Sequence, residues 1–355
     1  MPPQDPAADI RRLELAIRKR PADVAAHHQL AEAHHRVLAR GGAEAKLAAI
    51  VRDHGFAFTS MLHLAHLVEK RGDRAGAVIG YTRAIKTAQL RGFWYDENST
   101  PAWLHALVLH AMDFAHRGRI ELFQEWLDTQ AARYGKDELA RVAKCLAMWL
   151  GLEPTVHADP RQRPTFLYFP DLPVAPVFPR EALPFADWYE AETDAILEEL
   201  VRVRDGREVQ PFHYDVPEER RGELTNGAWD AYFFYDEGDK LEAHHAACPH
   251  TSSVLAKLPL DHVRDHGPEW CFSIMRPGAH ILPHRGVTNT RAVLHLGLEI
   301  PDGCALHLPG VLEQHWERGK CFAFDDTFEH EAWNRSGTTR AVLLGDIWNP
   351  FLRPA

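Results

Sequence analysis

Three residues in the carboxy-terminal half combine two imidazoles and one cation within a short stretch of chain. His284 and His330 are 46 residues apart, and Arg340 follows the second histidine by ten residues. Neutral imidazole is a common ligand of Fe(II) and related metals, and a guanidinium group can bind a carboxylate through two parallel hydrogen bonds. If a fold brings the three side chains together, they could hold a metal ion and a dicarboxylate side by side.

The metal interpretation meets one objection. Oxygen-activating iron sites commonly use two histidines and one carboxylate, with the acid usually two residues after the first histidine. Here that position is glycine, in the sequence His284-Arg285-Gly286. The chain contains 23 histidines, so either one alone would be interpreted as a residue at the rim of a barrel. The joint pattern with Arg340 favours a metal site.

Arg340 lies in the run TTRAVLLGDIW, which predicts a core strand. A buried guanidinium is costly unless an anion is paired with it. One solution is an internal pair with Asp346 or another acid. The other is a clamp on the distal carboxylate of 2-oxoglutarate, to which the hydroxyl of Ser273 on the predicted strand WCFSIM could contribute.

The stretch from Trp270 to Pro350 must position these residues. Short apolar or alternating runs are separated there by Pro-Gly, Asp-Gly, Arg-Gly and Ser-Gly pairs, which is typical of an antiparallel β-barrel or jelly roll. On the alternating strand TRAVLHLGLEI, His295 shares a face with Arg291 and Val293 because side chains alternate along a strand. The pattern therefore predicts further polar groups beside the same cavity.

The first 155 residues are rich in Ala, Leu and Arg and have helical periodicity almost throughout. Ala65 and Ala77 lie 34 residues after Ala31 and Ala43, which is the period of tetratricopeptide repeats. Gly72, Ala77, Tyr81 and Ala84 then follow in the order that such a repeat uses. A plain helical bundle is the alternative. The histidines of this half are predicted to be core and surface residues rather than ligands: His27, His28, His34, His35, His63 and His66. A proline-dense segment places the domain boundary near residue 160.

Composition restricts the partners and the compartment. The chain has 355 residues and a net charge of −10, which argues against nucleic acid. No apolar run reaches 18 residues and the first residues do not resemble a signal peptide, so no membrane partner is expected. Five cysteines without a Cys-x-x-Cys motif predict reduced thiols in a cytoplasmic protein.

Residues 163–350 carry seven motifs in a fixed order: YFPDLP, WDAYFFYDEG, CPHT, SIMRPGAHILPHRGVTNTR, HLGLEIP, WERGKCFAFDDTFEHEAWN and RAVLLGDIWNP. Together they resemble the aspartyl/asparaginyl β-hydroxylase family of dioxygenases, which use Fe(II), 2-oxoglutarate and O2. The resemblance implies an α + β two-domain chain. An α-helical, tetratricopeptide-like domain over residues 1–155 would precede a double-stranded β-helix (jelly-roll) dioxygenase domain over residues 160–355.

The resemblance also implies a role for each site residue. His284 and His330 would be the metal ligands and catalytic residues, and Gly286 fits a family in which glycine stands where relatives have the ligating acid. Water would then take the place of that acid. The positions that correspond to the cosubstrate site are Trp229, Ser273, His295 and Arg340.

Two further features concern the substrate side and the surroundings of the metal. Arg291 matches a basic residue that faces substrate, but the animal members that hydroxylate proteins carry a second arginine where this chain has Val293. This difference weakens the case for an Asp or Asn side chain in a folded domain. One of Asp325, Asp326 and Glu329 is expected either to orient a metal histidine or to stabilise the turn before it.

The expected function is hydroxylation of a C–H bond, at the β-carbon of an Asp- or Asn-type residue in a peptide or protein. The helical half would present or recognise that substrate and could bind a protein partner. The first alternative is a hydroxylase of a free amino acid or another small molecule. The second is a helical-repeat binding protein with a vestigial barrel.

Overall fold

The computed structural model describes residues 57–206, 208–212, 225–226, 228–264 and 266–352, with isolated residues before position 57. The chain divides into two compact units, Met1–Leu139 and Ala140–Ala355. The division precedes the predicted boundary near residue 160, so the helix Ala140–Trp149 lies in the second unit. Two members of the predicted repeat, Ala31 and Ala43, lie outside the described residues. In the part of the chain described here, no helix has the length and apolar character needed to cross a bilayer.

Three helices of the first unit are described in full. They are α1 (Phe58–Lys70), α2 (Arg74–Gln89) and α3 (Ala102–Tyr134). A tight turn with Gly72 at φ 83° joins α1 to α2. The two helices approach closely, since a Cβ added at Gly80 would lie only 2.8 Å from the Cβ of Ala65. Ala77, Tyr81 and Ala84 are completely buried in the same interface. This packing is what the small residues predict, while the assignment to tetratricopeptide repeats stays a prediction.

In the described part of the second unit lie five further α-helices and twelve strands. The helices are α4 (Ala140–Trp149), α5 (Ala186–Ala191), α6 (Thr193–Asp205), α7 (Glu242–Ala247) and α8 (Pro249–Leu255). The strands are β1 (Gln210–Pro211), β2 (Thr225–Asn226), β3 (Trp229–Asp236), β4 (Asp239–Lys240), β5 (Trp270–Met275), β6 (His280–His284), β7 (Arg291–Glu299), β8 (Cys304–Leu308), β9 (Leu312–His315), β10 (Cys321–Phe324), β11 (His330–Asn334) and β12 (Arg340–Trp348).

The strands form two antiparallel sheets. The larger has the order β1-β3-β5-β12-β7-β10 with β4 beside β3, and the smaller has the order β2-β6-β11-β8-β9. From β5 onward the chain passes repeatedly from one sheet to the other, which is the winding of a jelly roll. The predicted jelly roll is therefore confirmed.

The larger sheet separates two clusters of buried side chains because successive residues of a strand point to opposite faces. On β5, Phe272 and Ile274 join the cluster that includes Ile196 and Leu200 of α6. Met275 joins a second cluster with apolar residues of the smaller sheet. The inner face of the larger sheet thus looks towards the smaller sheet, and it carries the polar side chains of the candidate site.

Candidate metal and cosubstrate site

His284 and His330 are directly paired across β6 and β11. Their ring centroids are 4.1 Å apart. Each Nδ1–H donates to a main-chain carbonyl two residues earlier, that of Leu282 at 2.8 Å and that of Phe328 at 2.9 Å. Because Nδ1 is engaged in both rings, Nε2 is the nitrogen left to bind a metal.

The pair is accessible from one side only. His330 is buried, whereas His284 is exposed. Burial and the neighbouring His284 lower the pKa of His330 to about 4, so its ring is neutral at pH 7, as a metal ligand must be. Among the described residues, no third His, Cys, Asp or Glu completes a compact ligand set with the two. The protein therefore offers two imidazoles here.

Gly286 and Asp326 explain the missing acid. A Cβ added at Gly286 would lie 2.0 Å from the Cγ of Asp326 and 2.1 Å from each of its carboxylate oxygens. The Asp326 carboxylate therefore occupies the space into which any side chain at position 286 would extend. Its Oδ2 accepts a hydrogen bond of 3.2 Å from Arg291 Nη2, while its buried Oδ1 has no partner in the described part of the chain. A buried carboxylate oxygen without a described partner thus lies against Gly286, two residues after His284.

The other two acids of this segment have different partners. Asp325 accepts hydrogen bonds from the main-chain N–H and the hydroxyl of Thr327 and so stabilises the turn before β11. Glu329 forms an ion pair of 3.1 Å with Arg285. Only Asp326, of the three, lies against Gly286.

Arg340 is 1% exposed on the inner face of β12. Its Nη1 donates to Ser273 Oγ at 3.3 Å, and its Nε has no hydrogen-bond partner among the described residues. Its Cζ lies 4.3 Å from the centroid of the Trp316 ring. The alternative pair with Asp346 is not formed, because that carboxylate accepts from Arg291 instead. Burial lowers the pKa of Arg340 to about 10, so a charged guanidinium without a described carboxylate partner remains at pH 7.

The residues predicted to bind the cosubstrate surround this guanidinium. Ser273 and His295 share the inner face with Arg340 because they pair with Val342 and Leu344 of β12. Trp229 Nε1 donates to Ser273 Oγ at 2.9 Å. The sheet thus places Trp229, Ser273, His295 and Arg340 on one face.

His295 is linked to both parts of the site. Its Nδ1 accepts a hydrogen bond of 3.0 Å from Trp316 Nε1, so the proton of its neutral ring is on Nε2. Burial and the nearby Arg340 hold the pKa of His295 well below its usual value. The ring of Phe324 contacts both His295 and His330, with centroids 5.6 and 5.0 Å away. Trp316 contacts both His295 and Arg340, and sequence reasoning did not single it out. It opens the motif WERGKCFAFDDTFEHEAWN, but a tryptophan by itself predicts no metal or cosubstrate chemistry.

Arg291 is engaged with internal acids. Its Nη1 donates to Asp346 Oδ2 at 2.7 Å and its Nη2 to Asp326 Oδ2 at 3.2 Å. Its side chain is only 18% exposed. The predicted contact of Arg291 with substrate stays a prediction. The positive charge of its guanidinium is already balanced by the carboxylates of Asp346 and Asp326.

Part of the second unit is similar to a known protein family. Residues 190–350 match the family model described as Aspartyl/Asparaginyl beta-hydroxylase. This region is therefore similar to the aspartyl/asparaginyl β-hydroxylase family. The match contains every residue of the predicted site, from Trp229 to Arg340, and the helical unit Met1–Leu139 lies outside it.

Individual relatives of this region differ in their named substrates. The chain is 34% identical over 183 residues to the ornithine lipid ester-linked acyl 2-hydroxylase of Rhizobium tropici, covering 51% of this chain and 63% of that protein. It is 37% identical over 129 residues to the human aspartyl/asparaginyl β-hydroxylase, covering 36% of this chain and 17% of that protein. Aspartate β-hydroxylase domain-containing protein 2 of Rattus norvegicus is 29% identical over 248 residues, covering 68% of this chain and 69% of that protein. The chain therefore spans less than two thirds of the first two relatives.

Proposed function

We propose that the chain is an Fe(II)- and 2-oxoglutarate-dependent dioxygenase that hydroxylates a C–H bond. The observation that carries the proposal is Arg340, a buried cation without a described carboxylate partner on the same sheet face as the cosubstrate residues. A dianionic cosubstrate supplies the missing anion, and the free Nε and the Ser273 hydroxyl can donate to it.

In this proposal each side chain has a defined task. His284 and His330 would hold Fe(II) through Nε2, while Arg340 and Ser273 would bind the distal carboxylate of 2-oxoglutarate. When bound, iron would supply, together with O2 and 2-oxoglutarate, the oxidising chemistry that hydroxylates an unactivated C–H bond, with succinate and CO2 as co-products. Trp229 holds the Ser273 hydroxyl in place by donating to it. His295 presents Nε2–H to the end of the cosubstrate nearer the metal, and Trp316 fixes that tautomer.

Asp326 supplies a carboxylate near the position at which Gly286 replaces the usual acidic ligand. Its unpaired Oδ1 accepts a hydrogen bond from a water molecule beside the histidines, and Arg291 keeps the carboxylate in position through Oδ2. The carboxylate thus acts on the metal site through water rather than as a ligand.

The substrate class is part of the proposal. A peptide or protein with an Asp- or Asn-type side chain is the first candidate, in line with the name of the human relative. The helical unit, with its tetratricopeptide-like hairpin, would recognise that peptide or a protein partner, and the cytoplasm would be the compartment. A free amino acid, an acyl chain or another small molecule is the second candidate. It is favoured by the internal neutralisation of Arg291, by Val293 and by the acyl hydroxylase relative.

Succinate formation by the full chain with Fe(II), 2-oxoglutarate and O2 tests the activity and the substrate class together. Peptides with Asp or Asn, the free amino acids, and an acylated lipid are compared. We expect His284→Ala to abolish both iron binding and succinate formation, and the exposed His266→Ala to change neither. Retained iron binding in His284→Ala, with no turnover on any substrate, would instead support a binding protein with a vestigial barrel.

A further inference from the structure

The helical unit carries a second cluster of donor atoms, separate from the carboxy-terminal site. His66 and Glu69 lie on α1, and His110 lies on α3. One ligand atom from each of the three residues lies within 4.8 Å of the other two. Among the described residues, no other group of three His, Cys, Asp or Glu side chains meets this condition.

The fold brings the three together from distant positions. His66 and Glu69 are three residues apart on one helix and therefore share a face. Glu69 Oε2 is 3.5 Å from His66 Nδ1 and 2.8 Å from His110 Nε2, and Glu69 Oε1 is 2.9 Å from the same nitrogen. His110 is 41 residues from Glu69 in sequence.

A fourth side chain holds the carboxylate from behind. Tyr81 of α2 is fully buried, and its hydroxyl donates to Glu69 Oε2 at 2.5 Å. The same hydroxyl oxygen is 2.9 Å from His66 Nδ1. Glu69 is therefore a carboxylate between two imidazoles, with a hydroxyl that fixes its orientation.

The donor types and the spacing match those of a transition-metal ion. Two imidazoles and one carboxylate are a common ligand set for Zn(II), at about 2.0–2.2 Å from the metal. Tetrahedral coordination with such bonds places neighbouring donors roughly 3.4 Å apart. The observed separations of 2.8 and 3.5 Å from Glu69 Oε2 lie on either side of that value. The His66, Glu69 and His110 side chains are 30%, 21% and 42% exposed, which leaves a path for the ion and a position for water.

We propose that His66, Glu69 and His110 form a Zn(II) site that ties α1 to α3. Tyr81 positions the carboxylate ligand and does not bind the metal. Because the ligands come from helices that are distant in sequence, the ion stabilises the packed form of the helical unit over its unfolded form. A hydrogen-bond network that needs no metal is the competing explanation of the same contacts.

Titration calorimetry with Zn(II) on the full chain carrying His284→Ala and His330→Ala tests the proposal. We expect one tight site per chain, with Zn(II) raising the unfolding temperature of the helical unit. Adding His110→Ala should weaken Zn(II) binding at least 100-fold, because one of three protein ligands is lost. The matched control is His116→Ala, an exposed histidine further along α3. Equal Zn(II) affinity in the His110 and His116 variants, or no binding at micromolar Zn(II), would establish the metal-free network.

A second measurement does not depend on the double variant being folded. The otherwise unaltered chain is saturated with Co(II), and the bound metal is counted after gel filtration. We expect two equivalents, falling to one in Glu69→Gln, while binding of 2-oxoglutarate to the carboxy-terminal site is unchanged. The same metal count with and without Glu69→Gln would overturn the proposal.

Discussion

Replacing Arg340 with methionine should have two opposite effects, on apo stability and on cosubstrate binding. Methionine fills a similar volume without a charge. In the folded protein burial lowers the pKa of Arg340 to about 10. This lowering corresponds to about 3 kcal/mol by which the apo fold disfavours the cation. Because the penalty applies to the charged form at pH 7, removing the charge removes the cost.

The interactions that Arg340 makes in the apo protein are weaker than this penalty. The hydrogen bond to Ser273 is long, and it and the stacking on Trp316 together contribute about 1–2 kcal/mol. The free energy of unfolding of the apo protein should therefore rise by about 1–2 kcal/mol in the methionine variant. For 2-oxoglutarate, a buried carboxylate without its partner costs about 3–5 kcal/mol, which is a loss of affinity of roughly 150- to 5,000-fold.

Denaturant unfolding measures the first effect. Calorimetry with Mn(II) in place of Fe(II), without O2, measures the second. Arg276→Met serves as the control, since Arg276 is an exposed arginine paired with Asp230 and should change neither quantity. The reasoning is refuted if Arg340→Met loses less than about tenfold in 2-oxoglutarate affinity. It is also refuted if metal affinity falls as much as cosubstrate affinity, or if the apo variant is strongly destabilised.

Two further predictions concern the neighbourhood of the metal and the pH dependence of stability. Gly286→Ala forces a Cβ to within 2.1 Å of the Asp326 carboxylate oxygens, so urea unfolding should show a loss of about 1–3 kcal/mol. Adding Asp326→Gly should restore the free energy of unfolding but not succinate formation, and a failure to restore it would contradict the proposed overlap. Burial and Asp346 raise the pKa of Glu269 from 4.5 to about 8, so the folded state keeps a proton that the unfolded state loses between those pH values. Stability should therefore fall as pH rises through this window, and thermal unfolding at pH 5 and pH 8 should show a smaller fall in Glu269→Gln but not in the exposed Glu317→Gln.

The jelly roll was predictable because its strands obey local rules. Alternation along β7 and the turn residues between runs identify the strands without knowledge of their partners. The same alternation placed His295 beside Arg291 and Val293 on one face, as β7 has them. His284, His330 and Arg340 could be singled out by residue type, since two imidazoles and a cation on predicted strands suggest a site, while their metal and cosubstrate roles stay predictions.

Contacts across the sheets could not be predicted in the same way. Whether Asp346 would pair with Arg340 or with Arg291 depends on the register of β12 against β7, which no local pattern fixes. The overlap of Gly286 with Asp326 is likewise tertiary, and glycine alone does not reveal what fills its space. The histidines of the helical half were predicted from their spacing to be core and surface residues. The grouping of His66 and Glu69 with His110 could not be predicted from that spacing, because His110 lies far along the chain on α3.

His284 and His330 are anchored by their own backbone. Each Nδ1–H is held by a main-chain carbonyl two residues earlier in the same strand segment, so ring orientation does not depend on which side chains line the pocket. Such an arrangement separates reactivity from selectivity during evolution. The surrounding side chains can change to accommodate lipids, peptides or metabolites, while the two histidine rings keep their orientation. A library randomised at Val293 and Phe322 should therefore yield variants that differ in substrate preference but share one metal affinity.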